Sequence, residues 1–130
     1  MALTPREIRN RDRVLALYQQ VLDPHDRTRL RDFLVEDYIQ HSPAAPDGID
    51  GIGDFLDWLK TTHPQHRNHV RRIFAQEDHV IVHLHCTVGE GHPDLAVVDI
   101  FRLDEHGMIV EHWHVVQEVP ATSKNSNTMF

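Results

Sequence analysis

Between His66 and Val119 the chain alternates apolar and polar residues in four strand-like stretches, at about 66–76, 79–88, 94–103 and 108–119. The breaks are short and rich in turn formers: Glu77-Asp78, Gly89-Glu90-Gly91-His92-Pro93 and Asp104-Glu105-His106-Gly107. Connections this short join antiparallel neighbours, so the second half of the chain is expected to be a four-stranded meander. The first half reads differently. Thr4-Pro5-Arg6-Glu7 has the form of a capping box with proline at the first helical position, and Ile8, Leu15, Tyr18 and Leu22 recur at helical spacing until Asp23-Pro24. A second short helix is expected around Arg27 to Leu34, an irregular or extended segment over 35–43, a turn region over 44–48, and a third helix from Ile49 to about Thr62. On that helix Ile52, Phe55, Leu56 and Leu59 share a face, and Pro64 closes the run. Helices followed by a meander predict an α+β fold, with helices packed in the concave face of a curved, mostly antiparallel sheet, rather than alternating βαβ units.

With 130 residues there is room for one core, expected over 1–120, and a polar tail over 121–130 that ends in Met129-Phe130. The net charge of -7, from 20 acidic and 13 basic residues, disfavours nucleic acid as a partner. No stretch approaches the length of a membrane span and no secretory leader is legible at the N-terminus, so a cytoplasmic location is expected. Cys86, the single cysteine, lies among Val82, Leu84 and Val88 and reads as a small core hydrophobe. The outlier is histidine, with 12 copies.

Several segments taken together carry a family likeness: Tyr38-Ile39-Gln40-His41-Ser42-Pro43, Asp47-Gly48-Ile49-Asp50-Gly51-Ile52, Val98-Asp99-Ile100-Phe101-Arg102 and Ile109-Val110-Glu111-His112-Trp113. In these, in the order of its elements and in the Asn125-to-Phe130 tail, the chain resembles the SnoaL-like polyketide cyclases of the nuclear-transport-factor-2-like superfamily. The resemblance implies a cone with one buried small-molecule pocket. It does not fix a reaction, because such cones host cyclases, isomerases, dehydratases and proteins without activity. One departure stands out. Many relatives read Glu-His-Trp-Asp where this chain reads Glu111-His112-Trp113-His114.

Asp99 shares strand parity with Leu95, Val97 and Phe101, which points its carboxylate inward, as a functional group or as the anchor of a hydrogen-bond network. His112 and His114 share one face of the last strand, and His114 is the pocket residue that the resemblance implies. His41 stands at the mouth of the segment that lids the cone in the resemblance. His83 and His85 share the face opposite Val82, Leu84 and Cys86; that face is either solvated or covered, and in the second case one of the pair is expected to reach Asp99 or His114. The expected catalytic set is therefore Asp99, His114 and His41, with His85, His83 and His112 as supporting pocket residues and Tyr38, Trp58 and Phe101 as walls.

A carboxylate and an imidazole facing one apolar cavity move protons between carbon and oxygen without metal or organic cofactor, which suits aldol-type cyclisation, isomerisation or dehydration of a small, mainly apolar carbonyl compound. Two rivals use the same cavity. His41, His83, His85, Asp99 and His114 could converge on a divalent metal, or the cone could hold a hydrophobic ligand without catalysis. A homodimer is expected in each case, to cover the outer face of the sheet.

Overall fold

In the computed structural model, which describes residues 2–130 and so leaves Met1 outside, the helical and strand halves of the chain are segregated as the patterning predicts. The capping box is formed: Thr4 Oγ1 accepts from the Glu7 backbone N–H (3.2 Å), and the Thr4 N–H donates to the Glu7 carboxylate (2.8 Å). Glu7 also accepts from the Glu77 N–H (2.8 Å), which ties the start of α1 (Pro5–Leu17) to a turn between strands. The buried face of α1 differs from the expected stripe. It runs through Asn10, Val14, Leu17, Tyr18 and Val21, while Ile8 is exposed and Leu15 and Leu22 are only partly covered. A polar residue at the centre of the face hid its position: Asn10 is fully buried, and its side-chain oxygen accepts from the Arg9 guanidinium (3.0 Å). The helix ends in a widened π turn (Tyr18–Leu22), closed by the Asp23 N–H on the Tyr18 carbonyl.

A 3₁₀ turn (Arg27–Asp32), capped by Asp26, replaces the second α-helix expected there. The segment expected to be irregular or extended supplies β1 (Leu34–Gln40), so the sheet has five strands and not four. Its order is β1-β5-β4-β3-β2, with β2 (Arg67–Gln76), β3 (His79–Thr87), β4 (Leu95–Leu103) and β5 (Ile109–Glu118) forming the expected antiparallel meander. β1 lies parallel to β5, matching Leu34 with Ile109 and Gln40 with His112. Such a pairing joins opposite ends of the chain, and the polar run Glu36-Asp37 gives it no local signature. Helix α2 (Gly48–Thr62) packs over β1 and α1 over β2 and β3, which covers the concave face alone. The core lies there, with Val80, Val82, Leu84, Val97 and Leu103 contributed by the two central strands.

Each of two bulges keeps an inward row in phase. Arg71 is the extra residue of β2, so that Asn68 and Val70 before it and Ile73 and Ala75 after it all face inward. Val110 does the same in β5, placing Ile109 on the inner face together with His112, His114 and Val116. Deleting Val110 should therefore turn one of these sets outward. We expect a loss of at least ~2–5 kcal/mol in denaturant unfolding, on the scale of a core truncation, whereas Val110→Ala should cost far less.

Candidate active site

The concave face and the helices enclose a mostly apolar cavity of about 520 Å³. In its wall Asp99 stands directly opposite His114 across β4 and β5 and is buried to 5% exposure. His114 Nδ1 lies 2.5 Å from Asp99 Oδ1, and His112 Nε2 lies 2.9 Å from the same oxygen. The other carboxylate oxygen accepts from the Tyr18 hydroxyl, delivered by the π turn. Burial alone would raise the Asp99 pKa. Hydrogen bonds from His112 and His114, and their positive charge when protonated, outweigh it and hold the carboxyl well below the usual range. Tyr18 is pushed the other way, first by burial and then by the adjacent carboxylate, so its phenol stays protonated and donates.

The protons on His112 follow from its neighbours. The Ser42 backbone N–H can only donate, and it meets Gln40 Oε1 at 3.0 Å, which fixes the amide orientation. Gln40 Nε2 then donates to the Tyr38 hydroxyl (2.6 Å), and His112 Nδ1 must donate to Gln40 Oε1 (2.8 Å). With Nδ1 protonated, His112 can donate to the Asp99 carboxylate only by carrying a second proton on Nε2. The ring also stacks on Phe101, with centroids 4.8 Å apart.

Of the residues expected in the site, the fold brings Asp99, His112, His114, Tyr38, Phe101 and Trp58 to the cavity, Trp58 being half-exposed. The other three stand elsewhere. His41 lies outside the cavity lining, stacked on Trp113 at 4.9 Å and bonded to Glu111 at 2.8 Å. His83 and His85 face outward because helices cover only one side of the sheet. There His83 meets Arg72, and His85 meets Asp94 (2.7 Å), Arg71 (2.9 Å) and the ring of Phe130, which stacks on it at 4.0 Å. Tyr18 and Gln40 were not singled out in the sequence: the first reads as one more apolar residue of a helix stripe, and the second lies in a segment with no legible strand pattern.

A further group lines the same cavity through His63, His66, Asn68 and Cys86. Cys86 Sγ and His66 Nε2 are 3.1 Å apart. Burial pushes the thiol up to about 12 and the His66 imidazole down to about 4, so both are uncharged near neutral pH. His25, whose ring centroid is 5.7 Å from that of His66, is likewise lowered by burial.

A model of the SnoaL-like domain matches residues 14–112. The chain belongs to the SnoaL-like family. Among solved structures it is similar to a protein of Jannaschia sp. CCS1 assigned to the SnoaL-like polyketide cyclases, at 22% identity and a TM-score of 0.76, covering 89% of this chain and 90% of that one. It is also similar to a SnoaL-like polyketide cyclase of Agrobacterium tumefaciens (17%, TM-score 0.69, covering 83% and 91%). A polyketide-cyclase-like protein of Bacillus cereus gives 18% and 0.69, covering 85% and 74%. No curated protein matches the chain. Among the described residues no helix is long and apolar enough to cross a membrane.

The lowered histidines give this site a pH signature. A histidine whose folded pKa lies below its ordinary 6.5 favours unfolding as it is protonated, so its contribution is intact above about pH 6.5 and falls away towards pH 4. Asp99, depressed in the fold, acts in a lower window: its contribution is intact above its ordinary 3.8 and is lost as pH falls further. Urea titrations should show stability dropping between pH 6.5 and 4 by at most about 3 kcal/mol on account of His66. His66→Leu should flatten that segment and leave the loss below pH 4 in place.

Proposed function

We propose that the protein is a cofactor-independent acid/base catalyst acting beside a carbonyl group in a small, mainly apolar ligand, by aldol-type cyclisation, isomerisation or dehydration. The observation that carries this reading is the contact of 2.5 Å between His114 Nδ1 and a buried carboxylate, in the wall of an apolar cavity. Asp99 is the anchor of the pair. It already accepts three hydrogen bonds and its pKa is lowered, so it is a poor base towards carbon. His114 is the proton carrier: Nδ1 faces Asp99, and Nε2 has no hydrogen-bond partner among the described residues. In the proposed step Nε2 takes a proton from the carbon next to the carbonyl, leaving an enolate. Asp99 stabilises the imidazolium through Nδ1–H, and the proton returns to oxygen or to another carbon of the same ligand. Tyr18 and His112 hold the carboxylate in place.

Exchange of the α-protons of a two-ring aromatic methyl ketone in deuterated buffer, followed by NMR, tests the step without knowledge of the natural ligand. Asp99→Asn and His114→Phe should each slow exchange by ~10²–10⁴-fold with the circular dichroism spectrum unchanged. Full exchange activity in both variants would remove the pair from the mechanism. His114→Asp, which restores the residue of many relatives, should retain part of the activity with its optimum moved to lower pH.

A second reading has its own observation: one donor atom each from Asp99, His112 and His114 lies within 4.8 Å of the others, a spacing that suits a divalent transition metal. Near-stoichiometric metal in tag-free protein, lost in His114→Ala, would favour it over the cofactor-free reaction. For the outer face of the sheet we propose a second copy of the chain as cover. Phe74, Ile81, Ile100 and Trp113 form one cross-strand row there, beside Val115, and Phe74 is 59% and Val115 65% exposed. Sedimentation should give a dimer for the native chain and a monomer for Phe74→Glu.

A further inference from the structure

The cavity wall carries a second polar station that the proposed proton transfer leaves idle. Asp99 and His114 face each other across β4 and β5. Two residues along β4 comes the apolar inward pair Val97 and Val116, and two further along Leu95 stands beside Cys86, itself beside Asn68. All seven residues line the same cavity. At a rise of about 3.3 Å per residue, the four-residue step separates the stations by ~13 Å along the strands, and Asn68 on β2 lies three strand positions across the sheet from His114 on β5, with apolar wall between them.

The far station is built for an uncharged group. The Cys86 thiol and the His66 imidazole are both neutral at pH 7, and no Lys or Arg lines the cavity among the described residues, so an anion would find no counter-charge. Asp23 is not part of the lining, so an ammonium group would lack a partner as well. Asn68 gives its backbone and side-chain N–H groups to Asp23 Oδ1 (2.9 and 3.1 Å), which fixes the orientation of its amide. Its Oδ1 accepts no hydrogen bond among the described residues and is left as an acceptor fixed in position.

We propose that Asn68, together with Cys86 and His66, binds an uncharged hydroxyl group at the far end of an elongated apolar ligand whose carbonyl lies at His114. The hydroxyl donates to Asn68 Oδ1 and packs against the thiol and the imidazole, and the apolar body of the ligand covers Val97 and Val116. The site therefore selects ligands that carry the hydroxyl at the end remote from the carbonyl. The position of the carbonyl rests on the acid/base reading above; the far station does not.

Calorimetry with a matched pair of probes tests this: a linear three-ring aromatic ketone with a hydroxyl on its far ring, and the same ketone without it. The native protein should bind the hydroxylated ketone about five- to tenfold more tightly, the worth of one well-made hydrogen bond. Asn68→Leu should bring the two affinities within about twofold of each other. Because that variant also breaks the bond to Asp23, His66→Phe, which keeps it, should reduce the preference independently. Equal affinity for the two probes in the native protein, or binding of neither, overturns the proposal. So does a preference that survives both substitutions. Asp99→Asn separates this result from the acid/base reading: it should lose proton exchange and keep the hydroxyl preference. A preference without any dependence of exchange on Asp99 would leave the station standing and remove the mechanism.

Discussion

A carboxylate buried on the inner face of a central strand is tolerated only when its charge is met, and much of the geometry around the cavity follows from how Asp99 is met. Its three donors come from two elements, the Tyr18 hydroxyl from the end of α1 and the two imidazoles from β5. Tyr18 reaches it where the helix widens into a π turn, and His112 and His114 share the face of Ile109 because Val110 is bulged out. The same contacts couple the helical half of the chain to the sheet. His112 extends the network to Gln40, and through Gln40 to the Tyr38 hydroxyl and the Ser42 backbone. β1 and the turn that follows it are thus fixed to the site through one amide.

What could be read from the sequence divides along the same line between local and non-local information. The capping box, the limits of α2, the four meander strands and the inward parity of Asp99, His112 and His114 are all local properties, fixed by spacing along a single element. β1 was not legible as a strand, because its partner lies some seventy residues further on and its own residues include Glu36 and Asp37. The stripe of α1 was misplaced because Asn10, a polar residue, occupies the middle of the buried face. His83 and His85 present the clearest case. Their common parity was legible, but which side of the sheet the helices would cover was not, and that alone decides whether they meet Asp99 or Phe130.

The two histidine populations differ in the chemistry that the fold permits them. On the convex face His41, His79 and His85 sit against acidic side chains at a partly solvated surface, where ion pairs are screened and contribute little. Inside, His25 and His66 have no such partners, and desolvation keeps them neutral. His112 and His114 instead face Asp99, and each ring places a nitrogen within hydrogen-bond distance of the buried carboxylate. One residue type thus serves as surface rim, as neutral wall and as hydrogen-bond partner of a buried carboxylate, according to what its element faces.

For the proposed reaction, an imidazole rather than a carboxylate at position 114 matters for the same reason. With an aspartate there, two carboxyl groups would face each other across β4 and β5, and like charges at such a distance force the pair to share a proton, leaving one acid neutral. With His114 there, Nδ1 can donate to the Asp99 carboxylate, which leaves Nε2 as the base of the proposed step. In the proposed reaction Asp99 then has no need of a raised pKa, which agrees with its being held low. The rest of the cavity wall is mostly apolar, so in the proposed reaction the body of the ligand and the transferred proton are handled by different residues.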